Sequence, residues 1–111
     1  MGGVETVVDA YEIPERLRQA VICRDGYEVF PWSCKDARTC DLDHTEAFQP
    51  GVPGQTRESN LGPLSRRVHR AKTHCGWQLT QLTPGVFEWV TGYGQRFIVG
   101  PHGTVRYHEQ D

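Results

Sequence analysis

The sequence predicts an α+β fold, with a short N-terminal helix, a central strand–loop–helix segment and a C-terminal antiparallel β meander. Three observations carry this reading. After Pro14-Glu15, the residues Leu17, Ala20 and Val21 recur at helical spacing. From Thr39 to Phe48, Cys40, Leu42 and His44 alternate with Asp41, Asp43 and Thr45, the period of a strand. Beyond Lys72 the chain turns into short β-prone runs, W-Q-L-T-Q-L, V-F-E-W-V, Q-R-F-I-V and T-V-R-Y, cut by Pro84-Gly85, Gly92–Gly94 and Pro101–Gly103.

In chain order, residues 1–10 are expected to be loose and flexible. A helix follows over 14–23, ended by Asp25-Gly26. Tyr27–Phe30 reads as a strand stopped by Pro31, and Trp32–Arg38 as a loop. The strand over 39–48 leads into Gln49–Ser59, whose Pro50, Gly51, Pro53 and Gly54 predict no regular structure. Asn60 then reads as a helix N-cap, with Pro63 tolerated in the first turn and Leu61, Leu64, Val68 and Ala71 as the buried stripe. The meander over 77–108 has three or four strands. Phe30, Trp32, Leu61, Leu64, Val68, Trp77, Trp89, Tyr93 and Phe97 are the expected packing residues.

The 111 residues are the length of one domain, here 1–111 with a central core over 39–73. No apolar run approaches a membrane span and the N-terminus lacks the pattern of a secretory signal, so no membrane partner and a cytoplasmic location are expected. The net charge of −2 excludes a uniformly basic protein. Even so, Arg57, Arg66, Arg67, Arg70 and Lys72 crowd the centre, and a basic face on a near-neutral domain can bind phosphate. By charge alone the plainer reading is a solvated helix face. Cys23, Cys34, Cys40 and Cys75 form no C-x-x-C pair and are expected as thiols, with a Cys34–Cys40 disulfide as the alternative.

The chemistry concentrates between Thr39 and Lys72. Phosphodiester hydrolysis needs a nucleophilic water, a base and positive charge on the developing oxyanion. Histidine suits the base because its ordinary pKa lies near working pH. A carboxylate and a second histidine can hold one divalent cation with positions left open. Asp43, His44 and His69 supply these groups, and Asn60 offers an amide to pin the loop. Neighbouring residues of a regular strand point to opposite faces, so Asp43 and His44 share one phosphate only if the backbone twists or bulges there. Asp36, Asp41 and Glu46 read as solvated acids, and His74, His102 and His108 as outside the chemistry.

The order C-D-L-D-H, then G-Q-T, then N-L-G-P-L-S-R-R-V-H-R-A-K-T-H-C-G-W resembles the HNH (ββα-metal) endonucleases. It is closest to the HNH domains that end many actinobacterial proteins with a long helical N-terminal region. The resemblance covers roughly residues 11–100. It implies a ββα-metal core, His44 as general base, Asp43 and His69 as ligands of one divalent cation, and Asn60 as the residue ordering the loop. It also implies Arg66, Arg67 and Arg70 as phosphate contacts on DNA. Mg2+ or Mn2+ is the expected ion, with Zn2+ or Ni2+ as alternatives. Members of this family usually hold a separate structural zinc; at those places this chain has Glu28, Ser33 (or Cys34), Ser65 and Val68, so no structural zinc is expected. The family's helix usually carries two adjacent histidines, and here His69 alone stands. The implied activity is DNA hydrolysis. A catalytically silent DNA-binding module and a structural or interaction domain are the alternatives.

Overall fold

The computed structural model describes residues 12–107 together with the strand Val7–Val8 (β1). Helix α1 (Glu15–Asp25) follows Pro14, whose fixed φ suits a helix entry, and stops at Gly26, where φ is +74°. Its Leu17 and Val21 are fully buried against Leu61, with Ile13 and Leu42 around them. The expected helix is therefore present, shifted slightly toward its C-terminus.

Tyr27–Phe30 does not form the expected strand; a single bridge links Tyr27 to Asp36. The backbone here is divided among partners, because Glu28 N–H bonds Lys35 O while Val29 N–H bonds Pro63 O. The chain then turns through Trp32, which holds a positive φ of 58°. A 3-10 turn, Ala37–Thr39, is capped by Asp36 and delivers the chain to β2 (Asp41–His44).

Strand β2 pairs antiparallel with β4 (Leu61–Leu64), matching Asp41 with Leu64, Leu42 with Pro63, Asp43 with Gly62 and His44 with Leu61. Helix α2 (Arg66–His74) follows directly. This corrects the expected helix from Asn60: the residues after Asn60 form a strand, and the N-cap is Ser65, whose Oγ accepts from Val68 N–H at 3.2 Å. Leu61 and Leu64 have the spacing of one helix face, yet Leu61 packs on α1 and Leu64 packs with Val29, Val68 and Phe87. Two separate apolar clusters claim them, which a strand satisfies and a helix does not. Four consecutive buried residues also mark a strand covered on both faces, where alternation disappears.

Gly62 is required by this packing. A Cβ there would sit 2.8 Å from Phe87 Cε2 and 3.1 Å from Val29 Cγ2, and the Phe87 ring is fully buried. Gly62→Ala is expected to destabilise the fold by about 1–3 kcal/mol through overpacking. A urea midpoint equal to wild type would contradict this.

The loop before β4 is more ordered than its prolines and glycines predict. Gln55 is buried and folds it back, its Oε1 accepting from Gln49 N–H and its Nε2 donating to the carbonyls of Gln49 and Val52. The loop then forms β3 (Thr56–Arg57), which pairs antiparallel with β1, and a 3-10 turn, Glu58–Asn60. Within residues 1–10, expected to be loose, Val7–Val8 are thus paired; the others lie outside the described residues.

The C-terminal half is a four-stranded meander of β5 (Gln78–Thr83), β6 (Val86–Val90), β7 (Arg96–Gly100) and β8 (Gly103–Tyr107), in that spatial order. Its inner face buries Leu79, Phe87, Trp89 and Val99 against Val29, Leu64 and Val68. Trp89 donates its Nε1–H to Val29 O at 2.7 Å, so the large apolar side chain is buried without orphaning its polar atom. Phe30 and Trp77 stack at 5.2 Å beside it. Trp32 and Tyr93 are not core as expected, being 63% and 98% exposed. Trp32 lies on the strained turn with its ring edge-on to Phe97 and its backbone N–H donating to Thr104 Oγ1, and Tyr93 occupies the loop between β6 and β7.

Arg24 ties α1 to the centre. It donates to Glu58 O and Leu61 O and pairs with Asp25 at 2.7 Å. Burial pushes the Asp25 carboxyl up, while Arg24 pulls it back. All four cysteines are free thiols; Cys40 is buried, and its thiol is pushed up chiefly by that burial. No helix among the described residues is long and apolar enough to cross a membrane.

Candidate metal and phosphodiester site

β2 and α2 cross so that residues distant in sequence meet. Asp43 projects from β2 opposite Gly62, with its side chain 17% exposed. Its Oδ1 lies 3.3 Å from His69 Nε2, and its Oδ2 accepts from Lys72 Nζ at 2.7 Å. His69 and Lys72 are three apart on α2 and therefore share the helix face that looks onto β2. The short spacing places them there, and Ser65 sets the register by fixing where the helix begins.

His44 lies on the other side of the strand, as alternation requires. It is buried, with Nε2 2.9 Å from Thr56 Oγ1 and its ring 5.4 Å from Phe48. Burial holds its pKa below the ordinary value of 6.5, and the nearby Asp43 charge acts in the opposite direction. The unfolded chain therefore takes up this proton first as pH falls. Stability drawn from the neutral ring is complete above pH 6.5 and declines as pH drops through and below it. Urea midpoints should fall more steeply between pH 7 and 5 in wild type than in His44→Gln; parallel curves would remove His44 as the cause.

Asn60 is buried and staples the loop rather than capping a helix. Its Oδ1 accepts from Glu46 N–H at 2.8 Å and its Nδ2 donates to Gln55 O at 2.9 Å, while its own carbonyl accepts from Thr45 N–H. The amide thus joins the end of β2 to the start of β4, holding His44 and Asp43 against the returning strand. Arg66, Arg67 and Arg70 are exposed on α2. Among the described residues Arg66 makes a long, solvated contact of 3.4 Å to Asp41, which is itself exposed, as expected. Asp36, also expected to be solvated, pairs with exposed Arg38 and caps the 3-10 turn. Those contacts hold its carboxyl down at about 2.

The roles of three residues escaped the sequence reading. Thr56 orients the His44 ring, and Lys72 engages Asp43. Glu28 is 6% exposed, its Oε1 accepting from Ser33 Oγ at 2.8 Å and its Oε2 from Ser65 N–H at 2.6 Å. Glu28, Ser33 and Ser65 thus converge into one hydrogen-bonded knot at the start of α2. The G-Q-T run marked Thr56 in sequence; nothing local marked Glu28 as buried.

The donor set can accommodate a divalent ion at Asp43 and His69. Carboxylate oxygen and imidazole nitrogen bind such ions at about 2.0–2.2 Å, so one ion can bridge donors 3.3 Å apart. Among the described residues no group of three acidic, histidine or cysteine side chains gathers to hold an ion. The described residues would thus supply two ligands. The pair lines neither of two clefts among the described residues. One, of about 380 Å3, is lined by Tyr27, Phe30, Trp32 and Val99, and the other, of about 240 Å3, by Thr45, Arg57, Asn60 and Gln81. An extended polymer lying across a strand and helix requires no deep pocket.

No family model matches the chain, and no solved structure does. The chain is similar to two proteins of Mycobacterium tuberculosis. It is 32% identical over 96 residues to the uncharacterized protein Rv3776, covering 86% of this chain and 18% of that one. It is 33% identical over 92 residues to the uncharacterized protein Rv2100, covering 82% and 16%. The chain therefore spans less than a fifth of the length of these curated relatives.

Proposed function

We propose that this chain is an HNH-type (ββα-metal) endonuclease domain that hydrolyses DNA phosphodiester bonds with one divalent cation. The observation that carries the reading is the meeting of Asp43 Oδ1 and His69 Nε2 at 3.3 Å across the β2–α2 junction. The strand–loop–strand–helix order and the loop staple at Asn60 support it. So does the convergence of Glu28, Ser33 and Ser65, three positions where the resemblance would put structural zinc ligands.

In this reading Asp43 and His69 hold Mg2+ or Mn2+, with Zn2+ or Ni2+ as the softer alternatives. A cation held there would supply charge stabilisation to the phosphate and the departing oxygen. Arg66, Arg67 and Arg70 present exposed guanidinium groups for phosphate contacts that position the duplex. His44 is the base, kept neutral by burial and ready to accept a proton from water. His44 faces away from Asp43 across a strand paired without a bulge, and its Nε2 is engaged with Thr56 here, so in this reading the end of β2 twists and the ring leaves that hydroxyl before both residues serve one phosphate. Asn60 positions the backbone that carries it.

The test is nicking of supercoiled plasmid with Mg2+ or Mn2+. His44→Ala should lose about 10²–10⁴-fold in rate. Equal rates in both proteins would refute the base assignment.

The compensation of Asp43 by Lys72 favours one further reading, a silent DNA-binding module. Replacing Arg66, Arg67 and Arg70 together with Gln should weaken DNA binding and lower the slope of log K against log salt by about 2–3 in either case. Binding of this kind with no turnover under any divalent ion would select the silent module. A slope unchanged by the triple substitution would deny α2 its role.

A further inference from the structure

The ammonium of Lys72 lies 2.7 Å from Asp43 Oδ2, and both side chains are largely shielded, 20% and 17% exposed. Such a pair is held more firmly than a solvated one, because water screens it less. His69 faces the other oxygen, Oδ1, so the carboxylate is divided between an imidazole and a fixed cation. Lys72 reaches it from the same helix, one turn beyond His69.

We propose that Lys72 is a place-holding cation that compensates Asp43 before any divalent ion binds, and so lowers the affinity of the ion-free site. The inference rests on the reading of Asp43 and His69 as metal ligands. An ion settling at Oδ1 meets a positive charge already seated on the same carboxylate, and that repulsion weakens its binding. A phosphate brought in along α2 gives the ammonium a second anion to engage. Asp43 is then freed for the ion as substrate arrives. Lys72 is thus a positioning residue that couples ion loading to phosphate, and the ion-free resting site stays charge-compensated.

The experiment titrates Mn2+ into the DNA-free chain and reads the free-ion paramagnetic signal, using wild type, Lys72→Met and Lys72→Arg. Circular dichroism verifies the fold of each. Lys72→Met should bind Mn2+ at least about tenfold more tightly than wild type, and Lys72→Arg should stay near wild type. Adding Asp43→Asn to Lys72→Met should abolish the gain, assigning it to this carboxylate. Equal or weaker binding by Lys72→Met overturns the role of Lys72 and leaves the Asp43–His69 ion site standing. Absence of Mn2+ binding in all three proteins overturns both. Should Lys72→Met fail to fold, Lys72→Gln serves in its place, and the same tightening is required of it.

Discussion

His69→Ala is expected to abolish divalent-ion-dependent plasmid nicking while leaving the protein folded. The His69 side chain is 55% exposed and its named contact is to Asp43, so truncation removes little packing. Substitutions at such positions usually change stability by no more than about 0.5 kcal/mol. On the proposed reading the truncation removes one of the two ligands we assign, however, and leaves the ion to a carboxylate that Lys72 already compensates. The expected loss in nicking is at least about 10²-fold, with Mn2+ affinity falling in parallel. This separates His69 from His44, whose substitution should depress turnover with Mn2+ affinity retained. Wild-type nicking by His69→Ala would remove the central pair from the mechanism.

Glu28→Ala should produce the largest loss of stability among the polar positions described. The carboxylate is buried, and its two oxygens serve Ser33 Oγ and Ser65 N–H, joining the segment after α1 to the first turn of α2. Removing it orphans the buried Ser65 N–H, leaves the part-exposed Ser33 hydroxyl to water, and deletes the carboxylate facing the start of the helix, where the backbone dipole favours negative charge. The expected cost is about 2–4 kcal/mol, a fall of roughly 10–20 °C in melting temperature for a domain of this size. Glu28→Gln keeps an acceptor for one donor and should lose about half as much. On the proposed HNH-type reading, chelator should leave the wild-type melting curve in place, with the Glu28, Ser33 and Ser65 hydrogen bonds standing at positions where that family would put structural zinc ligands. A chelator-sensitive melting temperature, or an unaffected Glu28→Ala, would refute this account.

Local patterning made the ends of the fold legible. The helix after Pro14 and the four β-prone runs after Lys72 are where periodicity and turn residues predict them, since hairpins and short helices are organised by neighbours. The centre was read less well. Leu61 and Leu64 looked helical because three-residue spacing fits a helix, whereas two clusters drawn from α1 and the meander claim them separately. Asn60 looked like a cap because caps are its commonest local use, whereas its second reading, an amide that pins the loop, agrees with its hydrogen bonds. Its partners at Glu46 and Gln55 are contributed by the loop it closes. The Asp43–His69 pairing was read from motif order alone, and the opposed facing of Asp43 and His44 follows from strand alternation. Glu28 and Lys72 were missed because their roles depend on burial and on a helix start that tertiary packing decides.

The reach of Arg24 into the carbonyls of Glu58 and Leu61 limits how this protein can be dissected. On the opposite side Phe87 presses on Gly62, and Trp89 grips Val29. The segment bearing Asp43, His44 and His69 is therefore clasped from both flanks and is no detachable cartridge. Excised as a peptide, or grafted onto a foreign scaffold, it would leave behind the clamps that bring its side chains into register.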